Sequence, residues 1–231
     1  MSADQFKRAA AAAAVELVRP GMTLGLGTGS TAAHFISLVA ERYGVAGGLQ
    51  CVPTSEATGK AAVAAGLEVI APDETTRIDL AVDGADEIGP ELSLIKGGGG
   101  ALLREKIVAA AADQFIVIAD ESKIVRRLGA FPLPLEVEPA LWGLTVSRIR
   151  DALGELAVAD APLRLRSDAE GEGAFLTDGG RYIVDVSFGA IDDPAAVNAA
   201  LGSVPGVLET GLFLGLADGA LVAGPDGVRR L

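Results

Sequence analysis

The sequence predicts an α/β protein: an open, largely parallel sheet with helices against it, followed by a smaller α+β unit. Apolar runs of strand length alternate with segments of helical periodicity from Met22 to Ala119. Half of the 231 residues are hydrophobic but only 4% are aromatic, so the core consists of Ala, Val, Leu and Ile, as in layered helix-and-sheet folds. Loops of glycine and hydroxyl residues follow several of the strands, and from Phe131 the texture changes to prolines, a helix and a hairpin pattern.

Taken in order, Ser2 with Gln5 forms a capping box, and Phe6, Ala10, Ala13 and Leu17 line one face of a helix expected to end at Arg19-Pro20-Gly21. Lys7, beside Phe6, reads as a solvated lysine that reaches an anion site if one lies near the helix start. Met22 to Leu26 is a short strand, GLGTGST a loop, and Ala32 to Tyr43 a helix. A strand at Leu49–Val52, a helix at Glu56–Ala65 and strands at Leu67–Ile70 and Ile78–Val82 follow, the last running into DGADEI. Leu92–Ile95 leads to Lys96 and four glycines, which open a helix carrying Glu105. Gln114–Ala119 is a further strand, ending in Asp120-Glu121-Ser122-Lys123.

In the second part PLPLEVEP reads as a linker or edge strand because of its three prolines. Leu144–Leu153 is a helix, Leu163-Arg164-Leu165-Arg166 alternates, and Ala174–Val186 reads as a hairpin around Asp178-Gly179-Gly180. Pro194–Leu201 is a helix. The stretches Gly211–Leu216 and Ala220–Ala223 are strand-rich and are expected to return to the first domain.

Charge and composition exclude several classes. Nineteen basic against 31 acidic residues give a formal charge of −12, without the basic surface that nucleic acid binding needs. The single cysteine, Cys51, rules out an internal disulfide and zinc sites of the CxxC type, and suits a cytoplasmic protein. The single histidine, His34, rules out HExxH metal binding, and its apolar helix face points to packing or a hydrogen bond. The Ala-rich start, interrupted by Asp4 and Glu16, reads as a helix of the fold rather than a signal or membrane segment. No metal, cofactor, nucleic acid or membrane partner is expected.

The chemistry-bearing residues all follow strands. In open α/β sheets the loops at the carboxyl ends of parallel strands share one rim, and ligands bind there. GLGTGST is neither a dinucleotide loop, since Ser30 takes the third glycine position, nor a Walker A loop, which ends in Gly-Lys-Ser/Thr. A loop with Thr28, Gly29, Ser30 and Thr31 at a helix N-terminus suits a monophosphate, and a plain helix cap is the bland alternative. Asp83-Gly84-Ala85-Asp86 places two carboxylates at a strand end, where an Asx turn would also account for the first. Lys96, with Gly97, Gly98 and Gly99, adds a cation and approachable amides. Glu105, in Arg-Glu-Lys, reads by itself as a solvated helix residue and Lys123 as a surface lysine. Together they offer a base, oxyanion donors and a phosphate cradle, the needs of proton transfer between adjacent carbons of a sugar phosphate.

GLGTGSTAAHF, DGADEI, IKGGGGALLREKIVA and IADESK, in this order and spacing, resemble the signatures of the ribose-5-phosphate isomerase A family. PLPLEV and Gly224-Pro225-Asp226-Gly227-Val228 fit as well, so the resemblance runs along the whole chain. It implies a Rossmann-like open sheet domain with a smaller inserted α+β domain, with residues 1–129 plus 206–231 in the first and 130–205 in the second. It implies interconversion of ribose 5-phosphate and ribulose 5-phosphate through a cis-enediol, in a homodimer or homotetramer. By motif, Glu105 matches the proton-accepting glutamate, Thr28 to Thr31 the substrate loop, and Asp83 to Asp86, Lys96 to Gly99 and Lys123 the remaining contacts. Thr177–Tyr182 departs from the family's more Asn-rich hairpin. A sugar-phosphate-sensing domain that binds without turnover is the alternative from another class.

Overall fold

In the computed structural model, which describes residues 2–156 and 158–231, the first helix starts as its capping residues dictate. Met1 and Ala157, which the expected domain ranges include, lie outside the described residues. Ser2 accepts from the Gln5 amide, while the Gln5 side chain accepts from the Ser2 amide, opening α1 (Ala3–Val15). The helix stops short of the expected end at Arg19. Leu17 and Val18 bond back only three residues, to Ala14 and Val15, so the chain passes through tighter turns before it reaches Pro20.

The elements then run β1 (Thr23–Leu26), α2 (Ser30–Tyr43), β2 (Gln50–Pro53), α3 (Glu56–Ala64), β3 (Glu68–Val69), β4 (Leu80–Asp83), β5 (Glu87–Ile88) and β6 (Leu94–Ile95). They continue with α4 (Leu102–Ala111), β7 (Phe115–Asp120), β8 (Leu133–Val137), α5 (Trp142–Glu155), β9 (Leu163–Leu165) and β10 (Tyr182–Val186). The chain closes with α6 (Pro194–Gly202), β11 (Val207–Thr210), β12 (Leu212–Phe213), β13 (Gly219–Gly224) and β14 (Gly227–Arg230).

The chain divides into two compact units. The first takes in residues up to Ala85, Arg104–Ile124 and Gly215–Leu231; the second takes Asp86–Leu103 and Val125–Leu214. The first unit is built on a seven-stranded sheet of order β14-β13-β7-β4-β1-β2-β3, parallel throughout except for the antiparallel edge strand β14. Its interior strands are buried on both faces and read as continuous apolar runs, as parallel strands do. Ala10, Ala11 and Ala14 are fully buried, and their small side chains let α1 lie close to β7 and β13. Leu24 and Leu26 from β1 and Phe35 from α2 are also fully enclosed; each such apolar side chain contributes about 1.5–3 kcal/mol relative to exposure.

The second unit contains a four-stranded sheet of order β11-β8-β10-β9, with α5 and α6, and a three-stranded sheet of order β12-β6-β5. Residues 86–103, 125–129 and 206–214, expected with the first domain, cluster here: β5, β6 and β12 pair only with one another, and β11 pairs with β8. PLPLEVEP is an interior strand, not a linker or edge: β8 is buried along its length between β10 and β11. Pro134 is tolerated because its carbonyl accepts from the Gly211 amide, so its missing N–H faces the same side, where the Gly211 carbonyl already accepts from the Lys96 amide. The expected hairpin is also corrected. β10 is taken on its two edges by β8 and β9, leaving residues 174–177 one isolated bridge, Ser167 to Ala174, and a turn closed between Thr177 and Arg181. No helix among the described residues is long and apolar enough to cross a membrane.

Candidate active site

In the first unit the strand order runs outward from β1 through β2 to β3 on one side, and through β4, β7 and β13 on the other. The chain changes direction between β1 and β4, so the carboxyl ends of these two strands bound the crevice where ligands of open sheets bind. Their side chains lock together. Asp83, at the end of β4 and 3% exposed, accepts through Oδ1 from the amides of Thr28 (3.1 Å) and Gly84 (2.7 Å). This approach requires glycine at position 27: an added Cβ would come within 2.0 Å of Asp83 Oδ1.

The GTGST loop divides its hydroxyls between two tasks. Thr28 Oγ1 meets Thr54 Oγ1 (2.8 Å), Ser55 Oγ (2.9 Å) and Thr58 Oγ1 (3.1 Å), the residues that start α3. The hydroxyl of Thr28 thus anchors the loop. Ser30 faces outward, accepting from the Lys7 ammonium at 2.9 Å, so Lys7 is committed to the loop rather than merely solvated. Gly29 is the N-cap of α2 and brings no side chain, which excludes a plain cap by Ser30 or Thr31. The first intrahelical bond runs from Ala33 to Gly29. The amides of Ser30, Thr31 and Ala32 precede it, at the positive end of the helix dipole.

Glu105 is buried, at 4% exposure, contrary to its appearance as a solvated helix residue. It shares a face of α4 with Val108 and Ala109, three and four residues on, which are also buried, while Arg104 and Ile107 turn outward. An added Cβ on Gly25 of β1 would strike Val108 at 2.5 Å, so this face lies directly on the sheet. The far end of the helix is tied to the amino end of β4, through the Ile78–Ala112 bridge and the Asp113 amide bonded to Ile78. Its first turn therefore points to the carboxyl rim, and Glu105 sits about 4.5 Å nearer that rim than Val108. Lys123, half-buried, is the last residue of a 3-10 turn that leaves β7 at the same rim, capped by Asp120 accepting from the Ser122 amide. His34 bonds Asp4 at 2.8 Å.

In the second unit, Asp86 and Lys96 stand at the ends of the small sheet. The Asp86 amide bonds Ile95, and that of Lys96 bonds Gly211, so backbone pairing fixes both positions. Lys96 is 2% exposed, with its ammonium 5.4 Å from the centroid of the Phe213 ring, a cation–π distance. Gly97 adopts φ 102°, open only to glycine without strain, and turns the chain so that the Gly98 amide donates to Asp86 Oδ2 at 2.8 Å. Gly98 and Gly99 are exposed. The neighbouring Glu87 is buried and accepts from the amides of Gly129 (2.7 Å) and Phe131 (2.6 Å), pinning the segment that enters β8.

The first unit brings together Thr28–Thr31, Asp83–Ala85, Glu105 and Lys123 on one sheet rim; the second brings together Asp86 and Lys96–Gly99. The hydroxyls of Thr54, Ser55 and Thr58 carried no signal in the sequence, and Glu87, which stood out only as the third carboxylate of DGADEI, proves to pin the backbone of Gly129 and Phe131. Their roles arise from contacts across 26 to 44 residues of chain. Lys7 had a faint one, its place near the start of α1.

An open parallel sheet whose switch-point loops offer helix N-terminal amides, a lysine and a buried carboxylate defines an α/β protein with a rim suited to a small anion. The ribose 5-phosphate isomerase A (phosphoriboisomerase A) family matches residues 50–227. Ribose-5-phosphate isomerase A of Rhodopseudomonas palustris strain BisB18 is 56% identical over 231 residues, covering 99% of this chain and 98% of that protein. Among solved structures, ribose 5-phosphate isomerase A from Methanocaldococcus jannaschii superposes with a TM-score of 0.90 at 38% identity, covering 100% of this chain and 99% of that one. A D-ribose-5-phosphate isomerase in complex with phospho-erythronic acid gives 0.91 at 38% identity, with the same coverage. The chain belongs to the ribose 5-phosphate isomerase A family.

Proposed function

We propose that the protein interconverts D-ribose 5-phosphate and D-ribulose 5-phosphate through a cis-enediol intermediate, a step of the non-oxidative pentose phosphate pathway. The observation that carries the mechanism is the enclosure of Glu105 on the inward face of α4, in the turn that points to the sheet rim. A carboxylate is rarely enclosed without a task.

In the aldose-to-ketose direction Glu105 removes the proton from C2 and returns it to C1, while the hydroxyl proton on O2 passes to O1. Lys96 stabilises the enediolate oxygen, and Asp83 or Asp86 assists opening of the furanose ring. The phosphate is assigned to the amides of Ser30 and Thr31, the Ser30 hydroxyl and the ammonium of Lys7, since the Thr28 hydroxyl and amide are engaged elsewhere. Lys123 is assigned a further substrate contact. A homodimer or homotetramer and a cytoplasmic location complete the proposal; light scattering tests the first.

Purified protein incubated with ribose 5-phosphate in the presence of a chelator is expected to form ketose well above the blank. A blank-level rate would sink the isomerase reading in favour of a sensor that only binds. Glu105→Gln is expected to lower kcat by about 10²–10⁴-fold, the usual contribution of a general base, with inorganic phosphate still inhibiting by competition in a wild-type background and binding the variant equally well. Retained turnover in this variant would move the base to another residue.

A further inference from the structure

The second unit holds an ion pair that the chemistry above leaves unused. The Arg166 guanidinium is gripped by the Asp185 carboxylate, Nε to Oδ2 at 3.0 Å and Nη2 to Oδ1 at 2.5 Å, with side chains only 16% and 19% exposed. Its remaining corner, Nη1, donates to the carbonyls of Gly97 (2.9 Å) and Gly98 (3.1 Å). The guanidinium carbon also lies 5.9 Å from the centroid of Phe175, and an added Cβ on Gly100 would come within 2.4 Å of that same ring. The guanidinium and this ring thus bracket the glycine loop from residue 97 to residue 100.

Stability alone is a weak reason for such a pair, because desolvation offsets most of the attraction between enclosed charges. Two apolar side chains would fill the space, but they would not donate to two carbonyls. The carbonyl of Gly97 and the N–H of Gly98 belong to one peptide plane, and that N–H donates to Asp86. A continuous line therefore runs from Asp185 through Arg166 and the Gly97–Gly98 peptide to Asp86, each hydrogen bond polarising the next. Four successive glycines have no side chains to hold their peptide planes, and the Arg166 fork supplies the missing restraint.

We propose that Arg166, locked by Asp185, is a positioning residue for the isomerisation. It holds the Gly97–Gly98 and Gly98–Gly99 peptides in the orientation that sets Asp86 and the loop amides for the sugar. The role rests on the isomerase reading above and acts through the loop, not by touching substrate.

The test uses the full chain with Arg166→Met, Arg166→Lys and Asp185→Asn, reading thermal unfolding, kcat, the inhibition constant of inorganic phosphate, and hydrogen exchange of residues 97–101. For Arg166→Met the loop is expected to exchange at least about tenfold faster while β1, β4 and β7 are unchanged. kcat is expected to fall by about 10²-fold, the scale of a small misplacement remote from the chemistry, with phosphate inhibition within about twofold of wild type. Arg166→Lys keeps the charge without the fork, and Asp185→Asn keeps the fork without its lock, so both fall between. Asp185→Asn also serves if the methionine variant does not fold. A kcat within about twofold of wild type in a folded variant, or a loss of kcat with loop exchange unaltered, overturns the positioning role. An inactive wild type would instead refute the isomerase reading, and loop exchange would still report whether Arg166 restrains the glycines.

Discussion

Replacing Gly27 by alanine is the sharpest perturbation the structure offers. The new Cβ would lie 2.0 Å from Asp83 Oδ1, 2.2 Å from its Cγ and 2.5 Å from its Cβ, so no rotation of the alanine relieves the overlap. Asp83 must move, and it is enclosed at the end of β4 with its Oδ1 holding the amides of Thr28 and Gly84. Overpacking of this kind costs about 1–3 kcal/mol. Losing one hydrogen bond to a charged acceptor adds about 1.5–3 kcal/mol. The sum, roughly 2.5–6 kcal/mol, corresponds to a Tm lowered by roughly 5–24 °C for a chain of this size. Scanning calorimetry reads the shift, and kcat/KM, measured well below the new Tm, reads the displaced carboxylate with a fall expected at about tenfold or more. Gly143→Ala is the control: nothing lies within 4 Å of its added Cβ in α5, so a change between zero and about 1 kcal/mol of stabilisation is expected. A Gly27→Ala protein with Tm within about 2 °C of wild type and undiminished kcat/KM would refute the coupling of β1 to Asp83.

Two further outcomes follow from single contacts. Lys7→Met removes the ammonium bonded to Ser30 and, if the phosphate is held where it is proposed, should raise KM for ribose 5-phosphate by about tenfold, with kcat little altered, because one charged hydrogen bond is worth about 1.5 kcal/mol; steady-state kinetics separates this from a fall in kcat. Burial pushes the Cys51 thiol up to about 11 from 9.0, so the native protein should resist thiol labelling at neutral pH, and labelling without denaturant there would contradict its burial. The folded value being the higher, this contribution to stability is intact below pH 9 and is lost as pH rises toward 11, since the unfolded chain ionises first; denaturant melts of wild type and Cys51→Ala across that range should show the difference.

Most of the sheet and its rim were legible because GTGST, DGAD and ESK each follow an apolar run of strand length, and those strands lie where the runs do, within a residue or two. Lys96 and its glycines also follow such a run, but β6 belongs to the small antiparallel sheet, and the exposed edge strand β14 has no apolar run to mark it. Glu105 could not be placed from Arg-Glu-Lys alone, yet its spacing to Val108 and Ala109 marks the inward face once α4 is known to lie on Gly25. PLPLEVEP misled because the rule that prolines avoid interior strands holds only where a partner waits for the N–H, and beside Pro134 the Gly211 carbonyl is already taken by Lys96. The hairpin pattern at Ala174–Val186 is real as alternation, but which strands border β10 depends on segments far away in sequence. The same holds for the grip of Arg166 on Gly97, 69 residues distant, and for the hydroxyls gathered by Thr28. Periodicity records which face is apolar. It does not record what comes to lie against it.

The position of β13 between β7 and β14 sets a schedule for synthesis. β7 is complete at Asp120, but the strand that covers its outer edge is made only after residues 125–214 of the other unit. At about 5–20 residues per second the ribosome needs roughly 5–18 s for that stretch. For that time FIVIAD, with all six residues destined for burial, presents an unpaired strand edge, the kind of surface on which neighbouring chains aggregate. Faster collapse of residues 125–214 is therefore expected to raise the share of newly made protein recovered in soluble form.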